Sequence, residues 1–445
     1  MNAQPLNTDT DTDTDTDTTI ETAAYLYYYP LVENLRQVQR YVSTGVGSNP
    51  AAPFNFFSHA RKLAGPEDTF VTINNDTVYS MAQLDLSGGP LRLDVPATGS
   101  RYYVLQFVDA WTNNIAYVGT RATGNDAGSF LIAPPGWSGT SDLPVVQAST
   151  DIVSIVGRFA CTGPDDIPDV TALQDALIIE RMTPEAPLSG LPVIAGDAAD
   201  EGEELRFWDQ AQSWSRAFPA PAAEAHLVDR YSAVWAAGTA DDSLTARYTA
   251  GVAALEDATK HGHSPVFNGW TVGLHLFDYN VYVLGLGTIN DDRWKISDES
   301  QRITDRAIAC RLGLWGNHAY EAVYAQAFTD ITGTPLTGDR SYVIDFPSPP
   351  PVGAFWSITL YDIPRYYLVA NPIDRYSIGD RTAGIRYEAD GSLRITIAKN
   401  EPTDATARAN WLLAPDAAFR LVLRLYMPGD SILDETYAYP EVQRS

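Results

Sequence analysis

One nine-residue block occurs twice in this chain, and it limits the fold more than any other feature. Arg101-Tyr102-Tyr103-Val104-Leu105-Gln106-Phe107-Val108-Asp109 and Ala354-Phe355-Trp356-Ser357-Ile358-Thr359-Leu360-Tyr361-Asp362 each follow a glycine turn, run mostly apolar and aromatic, and stop on aspartate. Aromatic and β-branched residues in short runs between Gly/Pro turns predict strands. Gly119-Thr120-Arg121 follows the first block and Gly379-Asp380-Arg381 the second, so the pattern reads as an internal duplication.

The remaining periodicity fits that frame. Leu91, Leu93 and Val95 alternate, as do Leu393, Ile395 and Ile397, while Ile152–Phe159 and Phe419–Tyr426 are further strand candidates. Between the two β regions the period changes from two to helical. Helices are predicted over Asp169–Ile179, Glu201–Phe218, Ala223–Ala237 and Asp241–Lys260, and from the cap Asp298, with Gln301 three residues on, to about Ala327. Residues 21–42 also carry helical spacing, with Pro30 a point for a bend or break. The expectation is an α+β, mainly β chain with two β-sandwiches of one type joined by a helical segment. Its expected parts are a disordered Thr/Asp tail (1–20), an N-terminal helix with the first sandwich (21–165), a helical middle (166–335) and the second sandwich (336–445).

Charge and cysteine count narrow the partners. A formal net charge of -26 repels nucleic-acid phosphate and anionic membrane surfaces, so neither is expected as a partner. An anionic ligand needs a local cationic pocket to overcome that field. Cys161 and Cys310, the only two cysteines, have no metal-type spacing and read as buried thiols. No basic segment followed by an apolar one opens the chain, and no run of about 18 apolar residues occurs, so a cytoplasmic protein without membrane insertion is expected. A homo-oligomer is compatible with all of this.

Several strings, in order, carry a family resemblance. Ile73-Asn74-Asn75-Asp76-Thr77-Val78-Tyr79-Ser80, Leu84-Asp85-Leu86, Arg101-Tyr102-Tyr103, Asp109-Ala110-Trp111-Thr112-Asn113, Gly124 and Pro135-Gly136-Trp137 resemble domain of unknown function 1254. Gly338-Asp339-Arg340-Ser341-Tyr342, the block ending at Asp362, Asn371-Pro372-Ile373-Asp374-Arg375-Tyr376-Ser377, Asn410-Trp411-Leu412 and Arg424-Leu425-Tyr426 resemble its usual C-terminal partner, domain of unknown function 1214. The resemblance implies tandem jelly-roll-type sandwiches with a helical connection, and it names no reaction.

Candidate chemistry gathers at predicted strand ends. Asp76 and Asp109 are candidate bases and Tyr79 a hydrogen-bond donor; Arg158 or Arg375 is a candidate anion stabiliser. Asn75, Trp111, Asn113, Trp356, Tyr361, Asp362 and Trp411 complete the set as substrate contacts. The structural alternatives are turn bonding for Asp109, core stacking for Trp411, an internal ion pair for Arg158 and, for Arg424 on a neighbouring strand, a strand-face ion pair. His261-Gly262-His263 would seat a metal only if both rings turned the same way. Exposed loop histidines are the simpler reading, so no cofactor is expected. No HExxH, G-x-S-x-G, GxGxxG or P-loop string occurs. The mixture of Asp, Asn, Tyr, Arg and Trp suits an enzyme on a small, partly apolar molecule, using Asp/Tyr acid–base chemistry of hydrolase, lyase or isomerase type. The competing classes are a glycan-binding or structural jelly-roll protein, with Trp111 and Trp137 stacking on sugars, and a metal-dependent oxidoreductase using the histidines.

Overall fold

Alternating apolar residues in the strands, and helical spacing in the segments around them, produce three packed bodies in the computed structural model. It describes residues 20–194, 202–236, 241–260 and 264–445. The Thr/Asp tail and His261/His263 lie outside the described residues.

The N-terminal module contains β1 (Phe57–His59), β2 (Thr77–Asp85), β3 (Leu91–Val95), β4 (Tyr103–Asp109), β5 (Asn114–Gly119), β6 (Gly128–Ala133), β7 (Val145–Gln147), β8 (Ile152–Ala160) and β9 (Ile178–Arg181). They form two sheets, ordered β1-β2-β8-β4-β5 and β7-β6-β3-β9. Leu84, Leu105, Phe107, Ile155 and Phe159 from the first sheet meet Leu91, Leu93 and Ile132 from the second in one core.

The C-terminal module contains β10 (Val266–Phe267), β11 (Trp270–Val272), β12 (Ala322–Ala327), β13 (Tyr342–Phe346), β14 (Val352–Asp362), β15 (Ser377–Gly379), β16 (Leu393–Ala398), β17 (Trp411–Leu413), β18 (Phe419–Pro428) and β19 (Val442–Arg444). Its sheets are ordered β10-β11-β12-β18-β14-β15 and β17-β16-β13-β19. β10 apart, this is the N-terminal order with ten added to every strand number. Each module also has one parallel pair, β6 with β7 and β16 with β17. The register extends the correspondence to residues. Val104 faces Gly119 and Arg158, and Ser357 faces Gly379 and Arg424. Counted from those positions, Asp109 and Asp362 occupy equivalent places.

Helices form the third body. α1 (Ile20–Ser43) runs through Pro30 as one helix. It packs against α3 (Glu203–Ala217), α4 (Ala225–Ala236), α5 (Asp241–Lys260) and α6 (Glu299–Gly313), whereas the short α2 (Ile167–Asp175) belongs to the N-terminal module, burying Val170 in its core. Burial of Tyr25, Tyr28, Leu31 and Leu35 against Phe207 and Trp208 holds Pro30 inside the helix, because tertiary packing outweighs its propensity cost.

Three expectations shift. The predicted helix 169–179 ends at Asp175, and Ile178–Arg181 becomes an edge strand on β3. The helix capped by Asp298 stops at Gly313, and Ala322–Ala327 pairs with β18 instead. Both strands are short, so their sequence period is weak and the neighbouring strand decides. As a result the β modules extend past the boundaries 165 and 336 expected from periodicity.

Candidate functional site: a cationic cavity between the β modules

The two central strands carry the site. In β18, Phe419, Leu421, Leu423 and Leu425 enter the C-terminal core, so period-two geometry turns Arg420, Val422 and Arg424 to the opposite face. In β8, Val153, Ile155 and Phe159 enter the N-terminal core, and Val156 and Arg158 turn the other way. The outward faces of both sheets line one cavity of about 480 Å³. Five basic side chains (Lys62, Arg158, Lys260, Arg420 and Arg424) stand on its wall against two acidic ones, Asp68 and Asp305. In a chain of net charge -26 this is a local inversion of sign.

The three arginines are enclosed, with relative exposures of 6% for Arg158, 1% for Arg420 and 2% for Arg424. Their partners are neutral. Arg158 donates to Gln106 Oε1 (2.8 Å) and to the Trp315 carbonyl (2.8 Å). Arg424 donates to Thr359 Oγ1 (2.9 Å), the Thr72 carbonyl (2.8 Å) and Tyr361 Oη (2.6 Å). Arg420 donates to Gln326 Oε1 (2.5 Å) and to Thr72 Oγ1, while its Nε is buried without a partner. Among the described residues none of the three forms an ion pair; Asp76 acts on Arg424, and Asp362 on Arg420, at longer range.

Burial opposes all three guanidinium charges and is the largest influence on each. For Arg420 it prevails and pulls the group down to about 10. For Arg158 and Arg424 their neighbours outweigh it, Tyr79 first at Arg158, and Tyr361 first at Arg424 with the Asp76 carboxylate contributing, and both are raised. All three are cationic at neutral pH. Burying such a charge without a counter-ion costs several kcal/mol, roughly, unless something else compensates.

The two sides are built alike. Tyr79 pairs with Arg158 across β2 and β8, and Tyr324 with Arg424 across β12 and β18. Gln106 and Thr359 sit two residues beyond Val104 and Ser357 on equivalent strands. Thr72 and Trp315, whose carbonyls cap the guanidiniums, both have left-handed backbones (φ 55 and φ 65). That conformation costs a non-glycine residue about 1–3 kcal/mol. Each precedes the strand of one module and caps the arginine of the other.

Of the residues expected from sequence, Tyr79 and Arg158 reach the cavity, with the Arg158 guanidinium 5.6 Å from the Tyr79 ring centroid. Asp76 stands beside it at the module junction, its Oδ2 accepting from Ser357 Oγ at 2.6 Å. Tyr361 is fully buried, donates to the Ile73 carbonyl (2.6 Å) and accepts from Arg424. Asn75 donates to the Ala64 carbonyl and accepts from Ser377, tying the modules together.

The others lie elsewhere. Asp109 is 0% exposed and fully engaged: it accepts from the backbone of Trp111 (2.9 Å) and Asn113 (2.8 Å), from Asn113 Nδ2 (2.9 Å) and from Ser149 Oγ (2.7 Å). Burial raises its carboxyl above the ordinary range. It closes a turn, as its structural alternative holds. Asn113 also accepts from Arg306. Trp111 is buried among Tyr27 and Tyr28 and donates to the Phe218 carbonyl, so no sugar ring reaches it; Trp137 is half-buried. Asp362 closes a turn with Tyr367 and Arg365. Trp356 packs on Phe346 in the C-terminal core. Arg375 donates to the Ala409 and Trp411 carbonyls, and burial lowers it. Trp411 donates to the Ala398 carbonyl.

Sequence reasoning missed Arg420, Tyr324 and the capping carbonyls, and read Arg424 as a strand-face ion pair. The available signal was two arginines spaced by four on one face of an otherwise apolar strand. Among the described residues no three His, Cys, Asp or Glu side chains cluster as metal ligands. No helix there is long and apolar enough to cross a membrane. Cys161 and Cys310 are buried free thiols.

Comparison with known proteins places this architecture. Residues 54–181 match the family model described as "Protein of unknown function (DUF1254)", and residues 321–430 match "Protein of unknown function (DUF1214)". The crystal structure of the VPA0106 protein from Vibrio parahaemolyticus is similar, with a TM-score of 0.68 at 22% identity over 96% of this chain and 99% of that one. A likeness at that identity shows a shared fold. An uncharacterized protein from Burkholderia cenocepacia gives a TM-score of 0.47 at 13% identity over 99% of this chain and 91% of that one. No curated protein matches. The chain therefore carries a DUF1254 region in its N-terminal half and a DUF1214 region in its C-terminal half.

Proposed function

We propose that the chain binds a small, partly apolar organic anion in the cavity between its β modules, as the substrate of acid–base chemistry. One observation carries this reading: three buried arginines with only neutral partners face the same cavity. An anion there would supply the missing counter-charge. The cavity volume lies within the range of about 300–1,000 Å³ usual for small-molecule sites. Met81, Val156, Val422 and Phe277 offer the apolar part of a ligand its contact surface.

Tyr79 is the acid–base candidate that reaches this space, and Asp76 stands one strand-turn away at the junction. Tyr79 serves as proton donor to the bound anion, and the guanidiniums stabilise charge that develops on it. The frame we propose is a pair of jelly-roll-like sandwiches descended from one copy, on the strength of the shared strand order and register.

The test is thermal unfolding with a panel of carboxylates, sulfonates and phosphates beside neutral amides of equal shape. At a hundred times its Kd a ligand stabilises by about 2.7 kcal/mol. Carboxylates and their relatives should raise the melting temperature and the amides should not; equal shifts from both would sink the anion reading. Turnover of any anion that binds, lost in Tyr79→Phe with binding kept, would identify the phenol as catalytic.

A further inference from the structure

Resting on the anion reading, we infer that the natural ligand is a dianion of dicarboxylate chemistry, with one anionic group held by the arginines of each module. The cavity has two arginine sites rather than one. The Arg158 site consists of Tyr79 on the adjacent strand, Gln106 on the other adjacent strand and the Trp315 carbonyl. The Arg424 site consists of Tyr324, Thr359 and the Thr72 carbonyl in the same relation. Exchanging the two modules converts one set into the other, except that Arg424 also bonds Tyr361, where the N-terminal module has Val108. A site duplicated this way presents equivalent charges from two directions, and a monoanion satisfies only one of them.

Val156 and Val422, at equivalent positions of β8 and β18, add apolar surface to the cavity wall two residues from each arginine. That surface suits the carbon chain of a diacid. The modules differ at several places on this face: Met81 stands where β12 has Gln326, and Val108 where β14 has Tyr361. The position of Arg420 is taken in β8 by Ser154, which is bonded to Gln83. The C-terminal site therefore has two guanidiniums and the N-terminal site one. The more charged or bidentate end of the ligand seats at Arg420 and Arg424, where a carboxylate can bridge two forks.

The probes are straight-chain diacids from glutarate to azelate and the monomethyl ester of each, measured by calorimetry on the full chain. The ester keeps length and shape and removes one charge. One diacid per chain should bind at least tenfold more tightly than its monoester. Arg158→Met, and Arg420→Met combined with Arg424→Met, should each bring the diacid to the monoester's affinity, with unfolding curves confirming that the variants fold. Should either variant not fold, the wild-type comparison decides alone. Equal affinity for diacid and monoester, or two monoesters bound independently per chain, overturns the dianion while leaving the anion site intact. Binding of neither, with the broader anion panel also silent, overturns both.

Discussion

Two sets of buried arginines in this protein are treated in opposite ways. Beneath the helices, Arg306 is fully enclosed and bonded to Glu224 at 3.2 Å, and Glu224 also accepts from Tyr27 at 3.0 Å. At the module junction, the half-buried Arg121 pairs with buried Glu321 at 2.5 Å. Around the cavity, Arg158, Arg420 and Arg424 are about as buried as Arg306 and have hydroxyls, amides and carbonyls in place of carboxylates. The chain has acidic residues in excess and uses them elsewhere. Arg306 shows that this fold can supply a carboxylate to an arginine it encloses, and the three most enclosed arginines left without one share the cavity wall, which marks it as the place where charge is held for something other than the fold.

The contrast can be broken most sharply at its structural end. Glu224→Gln leaves Arg306 charged and unpaired in the helical body, and it should cost about 3–5 kcal/mol in chemical unfolding. Asp109→Ala, which strips the partners from four donors, should cost about 2–4 kcal/mol while leaving anion binding to the folded protein unchanged. If that variant instead kept its stability and lost ligand binding, Asp109 would return to the site.

The cavity end predicts the reverse pattern. Arg158→Met should change stability by no more than about 2 kcal/mol, because removing a buried charge that has no counter-ion offsets the lost hydrogen bonds. Its effect should appear in anion affinity. A loss of stability equal to that of Glu224→Gln would show that Arg158 is as structural as Arg306.

Acid separates the two sets by another route. Burial, and then Arg121 nearby, hold His318 down to about 3 against an ordinary 6.5; burial, and then Arg61, hold His59 down to about 4. The unfolded chain therefore takes up protons first. Stability is complete above about pH 6.5 and falls as pH drops through that window towards the folded values. His318→Asn should flatten the slope measured by urea unfolding between pH 6.5 and 4.5. The cavity guanidiniums keep their charge throughout, so anion affinity of the folded state should not follow the same curve. The smallest effect is expected from Tyr79→Phe, within about 0.5 kcal/mol of wild type in stability. A large loss there would mean that the phenol is bonded into the fold.

Much of the frame was legible in the residues themselves. The repeated block ending in Asp109 and Asp362, the alternation in β3 and β16, the cap at Asp298 and the helices 203–217, 225–236 and 241–260 all follow from local periodicity. Local pattern failed where an element owes its state to a neighbour. Ile178–Arg181 and Ala322–Ala327 are strands because β3 and β18 offer free edges, and Pro30 stays helical because its turn is buried.

The site was half legible for the same reason. Asp, Asn and Trp at strand ends looked chemical in sequence, yet Asp109, Trp111 and Trp411 have their polar atoms engaged by the fold. Tyr79 and Arg158 were found, but nothing local joined them to Arg424, 266 residues later by the numbering. Period-two alternation determines which residues share a face of β8 or β18, and the sequence alone settles that. Which faces meet, and whether a carboxylate waits opposite each guanidinium, depends on how two modules pack across hundreds of residues. Coulomb energy falls with distance in space, not along the chain, so only the tertiary structure could decide which arginines were left without a partner.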